Sequence, residues 1–211
     1  MAERTAEEEK TYYVEKMGET LGTQFHLLLE EVTLLHLKWS EGVELFGSGP
    51  TRMELLNDAA PTFFLIIENI LWDDALLHLS RLTDPPKSIG KNGKPNLTIK
   101  NLPELINDPG AKAALGELVK IAEGKVKICR DWRNSHIAHC DLRLVLSGGA
   151  GPLEPSSKHV NEALESVVAV LNAVSVHFTE TEQRFKTAIH GSEQLLVVLD
   201  AGVRKLRESQ E

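Results

Sequence analysis

Residues 130–141 read RDWRNSHIAHCD, which places Arg130, Asp131, Arg133, Asn134, His136, His139 and Asp141 within twelve positions. These side-chain types suit proton transfer and phosphate binding. Imidazole exchanges protons near neutral pH. Guanidinium stays cationic and offers a planar fork to two oxygens. The same composition also suits a plain helix end, because imidazolium complements the negative pole of a helix dipole. Spacing sharpens the choice. Arg133 and His139 are six positions apart, about 240° of rotation on an unbroken α-helix and so opposite sides. Arg133 and His136, three apart, share a face. A joint role for Arg133 and His139 therefore requires a helix end, a local distortion or a site shared with a second copy of the chain.

Other constellations are weaker. His136-x-x-His139 has a spacing that can chelate a metal, and Asp141, His26, His36 or His78 could complete a set. No HExxH, paired cysteines or clustered carboxylates accompany it, so neither a metal nor any other cofactor is expected. Asp74, His78 and Arg81 lie at i, i+4 and i+7 and share one helix face. They form either a buried polar network or part of the cleft that holds Arg133. Asp141 either accepts a hydrogen bond from a histidine or caps the next segment, and Arg130 either widens a phosphate-binding surface or pairs with Asp131. Neither a GxxxxGK[ST] phosphate cradle nor a GxSxG nucleophile turn occurs.

The elements that must position this strip are helical. Leu21, Phe25, Leu28, Val32, Leu35, Trp39, Val43 and Phe46 recur at three- and four-residue intervals, which predicts one long amphipathic helix stopped by FGSGP. Thr51 with Glu54 three residues on reads as a capping box for a second helix running to about Leu82. Pro61 predicts a kink there, or a helix start nearer residue 59. Residues 83–101, TDPPKSIGKNGKPNLTIKN, hold three prolines, two glycines and four lysines and form one long loop. LPELI reads as a short helical turn. Asp108 and Pro109 open a third long helix with Leu115, Leu118, Val119, Ala122, Val126 and Cys129 inward. A fourth spans roughly 156–187, with Leu164, Val167, Val168, Leu171, Val174 and Phe178 inward, and HGSEQLLVVLDAGVRKLRES supplies a fifth. The expected fold is all-α, an up-and-down bundle of about five helices in a single domain over 1–211, with residues 1–15 an acidic flexible arm.

Bulk properties narrow the function. Of 211 residues, 42% are hydrophobic and 26% charged, ordinary values for a globular chain. No apolar run approaches the roughly 18 residues of a membrane span. The acidic start lacks the pattern of an export signal, and Cys129 and Cys140 lack metal-site or secreted-scaffold spacing, so a reducing cytoplasm is expected. The net charge of −8 is uneven: six basic against fifteen acidic residues over 1–83, eleven against seven over 84–143, and six against nine over 144–211. The acidic whole argues against a protein that coats nucleic acid, while the basic middle leaves room for a local phosphate-facing surface.

Arg133-Asn134, three residues, then Ala138-His139 and Asp141 resemble the R-x(4–6)-H signature of the HEPN superfamily, in the R-N-x-x-x-A-H-x-D form of its abortive-infection, AbiU-like branch. LSRLTDPPK, 79–87, and NLTIKNLPELI, 96–106, resemble the segment between the long helices of that branch. The resemblance implies a helical bundle that dimerises and brings two R…H motifs into one cleft. It also implies metal-independent RNA cleavage, in a phage-defence or toxin–antitoxin setting with an antitoxin or other regulatory protein as partner. On that reading Arg133 and His139 are catalytic, and Asn134 orients the histidine or binds phosphate. Arg130, His136, Asp141, Asp74 and Arg81 stand around them as second-layer or substrate-binding candidates. His136 occupies a variable family position and has a plain surface reading. A non-catalytic HEPN-like module that binds nucleotide, RNA or a protein partner is the alternative, and a dimeric scaffold is the third.

Overall fold

The computed structural model describes residues 4–47, 49–88, 93–138, 146, 152–185 and 191–209. Among these, seven α-helices run in the order α1 (Ala6–Met17), α2 (Glu19–Phe46), α3 (Pro50–Ala59), α4 (Pro61–Leu82), α5 (Pro109–Trp132), α6 (Ser157–Thr179) and α7 (Gly191–Glu208). A 3₁₀ segment, Ile99–Leu105, precedes α5, and a π-helical turn, Arg133–Ile137, continues it. The all-α expectation holds, but the helix number exceeds five for two physical reasons. The segment expected as a flexible arm holds most of α1, and the second long helix is split at Pro61, where a new helix starts close to residue 59, the alternative to a kink.

Helix α1 begins with a capping box in which Thr5 and Glu8 satisfy each other's backbone N–H groups. Tyr13, 3% exposed, anchors it by packing edge-on against Phe25 of α2 with ring centroids 4.8 Å apart. Gly18 turns the chain between the helices at φ 81°, a conformation other residues rarely adopt. Gly22 lets α1 and α2 approach, because a Cβ there would stand 2.5 Å from the carbonyl oxygen of Tyr13.

The break between α3 and α4 falls at Ala60, whose extended backbone ends one helix while Pro61 opens the next. A proline is tolerated at a first helical position, where its missing N–H has no partner to lose. The expected cap at Thr51 does not form. Pro50 opens α3 instead, after Gly49 at φ 94°, with no side-chain cap.

Asp108 caps α5 as expected, its Oδ1 accepting from the Ala111 N–H at 2.6 Å. Helix α6 stops at Thr179, short of the expected 187, where Glu180 adopts the left-handed conformation.

The chain divides into two compact units. The first comprises residues 1–33 and 76–184; its centre is α5 against α6, with the 3₁₀ segment and α1 packed on them. Leu115, Val119, Ala122, Val126 and Cys129 of α5 are buried, as are Val160, Leu164, Val167, Leu171 and Val174 of α6, and Leu118 and Val168 are half-buried. Each fully buried side chain of this size stabilises the fold by about 1.5–3 kcal/mol before entropy is counted.

The second unit comprises residues 34–75 and 185–211. Leu45, Leu56, Phe64 and Leu196 form its core cluster. The apolar stripe of α2 is buried as far as Leu35, but Trp39 and Phe46 are half-buried, Val43 is exposed and Leu45 is buried. The change of face accompanies the passage of α2 from one unit's core to the other's. Glu41 of α2 caps α7, accepting from the N–H groups of Gly191 at 2.9 Å and Ser192 at 2.7 Å. Two of the donors that a helix start leaves unpaired are thereby satisfied.

Candidate functional site

The site is built where α4 ends and α5 ends, both within the first unit. Helix α4 stops because Pro85 and Pro86 come directly after Asp84. Its last turn tightens, with Thr83 N–H donating to Ser80 O at 3.2 Å and Asp84 N–H to Arg81 O at 3.1 Å, the three-residue bonding common at helix ends. The chain beyond is tied back by an antiparallel bridge between Lys87 and Pro95 and by Thr98, whose hydroxyl donates to Leu82 O at 3.0 Å. Asp84 is thereby fixed just past the negative end of a helix, an unfavourable place for a carboxylate without cations nearby.

Two arginines from the end of α5 provide them. Arg130 Nη2 donates to Ser80 O at 2.9 Å and to the Thr83 hydroxyl, so it caps a terminal carbonyl of α4. It also lies 3.7 Å from Asp84 Oδ1. Arg133 Nη2 lies 3.4 Å from the same oxygen. The three side chains are 24%, 20% and 30% exposed for Arg130, Arg133 and Asp84. Such shelter lets their charges interact more strongly than on open surface. The buried Nε of each arginine has no hydrogen-bond partner among the described residues.

Arg133 is also where the helix changes. The Ala138 N–H donates to Arg133 O at 2.8 Å, a bond spanning five residues, and residues 133–137 form a π-turn. Such single widened turns in α-helices are frequent at functional sites. A local distortion is one of the conditions that the Arg133/His139 spacing imposes, and it occurs inside the motif. His139 and Asp141 themselves lie outside the described residues.

The remaining candidates divide. Asn134 is exposed. His136 is exposed too, but its ring stacks on Trp132 with centroids 3.7 Å apart and planes 11° apart. Its Nδ1 is 2.8 Å from the Ser135 hydroxyl, which lies 2.8 Å from Asp131 O and 3.2 Å from Trp132 O. A hydroxyl that gives its one hydrogen to Asp131 O accepts from His136 Nδ1–H, which leaves Nε2 with a free lone pair in the neutral ring. Asp131 pairs with Lys127, so the alternative Arg130–Asp131 pairing gives way to the α4 cap. Arg81 lies 3.5 Å from Glu31, and His78 Nε2 lies 2.7 Å from the same carboxylate. Asp74 belongs to the second unit, where Lys38 donates to it at 2.9 Å. Among the described residues, no group of three or more His, Cys, Asp or Glu side chains is placed to hold a metal ion.

Asp84 is the site residue that sequence reasoning missed. Its signal is an acidic residue directly before two prolines at a helix end, in the segment LTDPP.

A family model for HEPN domains of the AbiU2 type matches residues 18–196. The chain belongs to the AbiU2 family. The match runs from the turn before α2 into α7 and takes in α4, the loop, α5 and the whole motif, while α1 precedes it. No curated protein and no solved structure matches the chain. In this AbiU2 chain Arg133, which the resemblance makes the arginine of the R-x(4–6)-H signature, faces the end of α4 through Asp84. No helix among the described residues is long and apolar enough to cross a membrane.

Proposed function

We propose that this AbiU2-family protein is a metal-independent endoribonuclease that cuts RNA at a composite Arg/His site in a homodimer cleft. One observation carries the reading: Arg133, the signature arginine, is held at the start of a π-turn by one long contact, with most of its donors uncommitted among the described residues. In the proposed reaction His139 takes the proton from a ribose 2′-OH, whose oxygen attacks the adjacent phosphorus. The P–O5′ bond breaks, and the leaving oxygen takes a proton from water. Arg133 binds the two non-bridging oxygens and offsets the charge that builds on them. Asn134 orients the histidine or adds a phosphate contact. The products are a 2′,3′-cyclic phosphate and a 5′-hydroxyl. A second copy across a two-fold axis brings the two motifs together. The setting that fits is a cytoplasmic defence or toxin-like effector restrained by an antitoxin or other regulatory protein.

The test is incubation of mixed-sequence RNA with the purified protein in EDTA, beside Arg133→Ala and His139→Ala. The expected result is cutting by the parent, with cyclic phosphate ends, and its loss in both variants.

A non-catalytic HEPN module that binds RNA, nucleotide or protein is the second reading. The acid next to the signature arginine favours it, since Asp84 already occupies the guanidinium face turned toward α4. Folded, dimeric protein that binds RNA without cutting it would decide for this reading.

A further inference from the structure

We propose that Asp84 is an internal surrogate for the substrate phosphate: it holds Arg133 in position in the empty site and must be displaced when a phosphodiester binds. The inference rests on the reading of Arg133 as a phosphate-binding residue and adds a positioning residue that tunes its affinity.

The two arginines at Asp84 are not equivalent. Arg130 is committed to the end of α4, through Ser80 O at 2.9 Å and the Thr83 hydroxyl, and stands farther from the carboxylate, at 3.7 Å. Arg133 meets Asp84 through one nitrogen at 3.4 Å. That distance is beyond the usual range of about 2.7–2.9 Å for a charge-assisted bond, and the contact is not the two-point fork that guanidinium makes with an oxyanion. The pairing is therefore weak enough to exchange. A phosphodiester offers two equivalent oxygens to the same fork and would gain the second bond that Asp84 does not make.

Repulsion between anions favours the exchange. Two guanidinium groups and one carboxylate leave a single surplus positive charge at the end of α4. A phosphodiester that reached Arg133 with Asp84 still in place would bring two anions against one another in a partly sheltered site. Asp84 precedes Pro85 and Pro86 and is only 30% exposed. The prolines fix the backbone there, so the side chain alone must rotate away. The carboxylate thus raises the concentration of RNA needed to fill the site. It also keeps the guanidinium from drifting into solvent while the site is empty.

The experiment measures binding of a short, fluorescently labelled 2′-O-methylated single-stranded RNA, which has no 2′-OH and is not cut. It compares the full-length protein with Asp84→Asn, Asp84→Glu, Arg133→Ala and the double variant D84N/R133A. Removing the charge in D84N is expected to tighten binding roughly threefold to tenfold. D84E, which keeps the charge, should show no such gain, and the double variant should bind no better than R133A. Asp84→Ser serves in place of the amide if circular dichroism shows D84N to be unfolded. A weakened R133A beside a D84N that binds no better than wild type would overturn the surrogate role and leave the site standing. A gain from D84N that persists without Arg133 would overturn it equally. R133A binding as tightly as wild type would instead sink the underlying phosphate-site reading.

Discussion

Arg133 and Asp84 face one another across 3.4 Å, the first at the start of a π-turn and the second just past the end of α4. Arg130 reaches the same carboxylate from one helical turn earlier, yet its main partners are the Ser80 carbonyl and the Thr83 hydroxyl. Arg130 therefore ties the end of α4 to α5 while Arg133 makes one long contact, which separates the expected effects of removing them.

Arg130→Ala removes the guanidinium bonds to the Ser80 carbonyl and the Thr83 hydroxyl at the end of α4 and should cost about 1–2 kcal/mol of stability. Arg133→Ala removes one long contact and should melt close to wild type while losing RNA binding and cleavage. Urea denaturation of both variants beside the RNA assays checks the split. Equal destabilisation by the two would contradict it.

Much of the fold is legible in the sequence because helix periodicity is a local signal. The three- and four-residue spacing of α5 and α6 marks the faces that are buried, and Asp108-Pro109 marks the start of α5. What could not be read is tertiary. The stripe of α2 changes face beyond Leu35 because its second half joins another core, and no spacing within the helix announces that. Asp84 joins the arginines only because the loop after α4 is tied back, and the π-turn at Arg133 is set by bonding between residues five apart that composition does not encode.

Helix α1 is hard to read for a related reason, since its one buried side chain is Tyr13 in an acidic stretch. Burial pushes the Tyr13 hydroxyl up to about 12, consistent with a packed rather than a solvated ring. Tyr13→Ala should destabilise the protein by about 3 kcal/mol, measured as a shifted urea midpoint. An unchanged midpoint would mean that α1 is detached in solution.

His36 stacks on Phe185 with centroids 4.8 Å apart, and burial lowers its pKa from the ordinary value of 6.5. The unfolded chain then takes up a proton that the folded one resists. This contribution is unchanged above about pH 6.5 and turns against the fold as pH falls through that value toward the lower, folded pKa. His36→Phe keeps the stack and removes the titration. Its melting temperature should fall less than that of wild type between pH 7.5 and pH 5, and parallel falls would contradict the assignment.

Cys129 is fully buried in α5, and burial pushes its thiol up to about 11. Little thiolate exists near neutrality, so iodoacetamide at pH 8 should label Cys129 only after denaturation. Peptide mapping by mass spectrometry reads this directly. Rapid labelling of the native protein would mean that α5 opens far more readily than its packing implies.

The most direct test of the composite site is complementation between two dead variants. Arg133→Ala and His139→Ala proteins are assayed on labelled single-stranded RNA in EDTA, separately and after mixing under conditions that exchange subunits. If each active centre takes Arg133 from one copy and His139 from the other, random exchange makes half of all dimers mixed, and each mixed dimer carries one intact centre. The mixture should then regain roughly a quarter of wild-type cutting while each variant alone stays silent. A mixture as inactive as its components, beside an active parent and proven exchange, would contradict a site shared between copies. A folded, dimeric parent that leaves the RNA intact would contradict the nuclease itself.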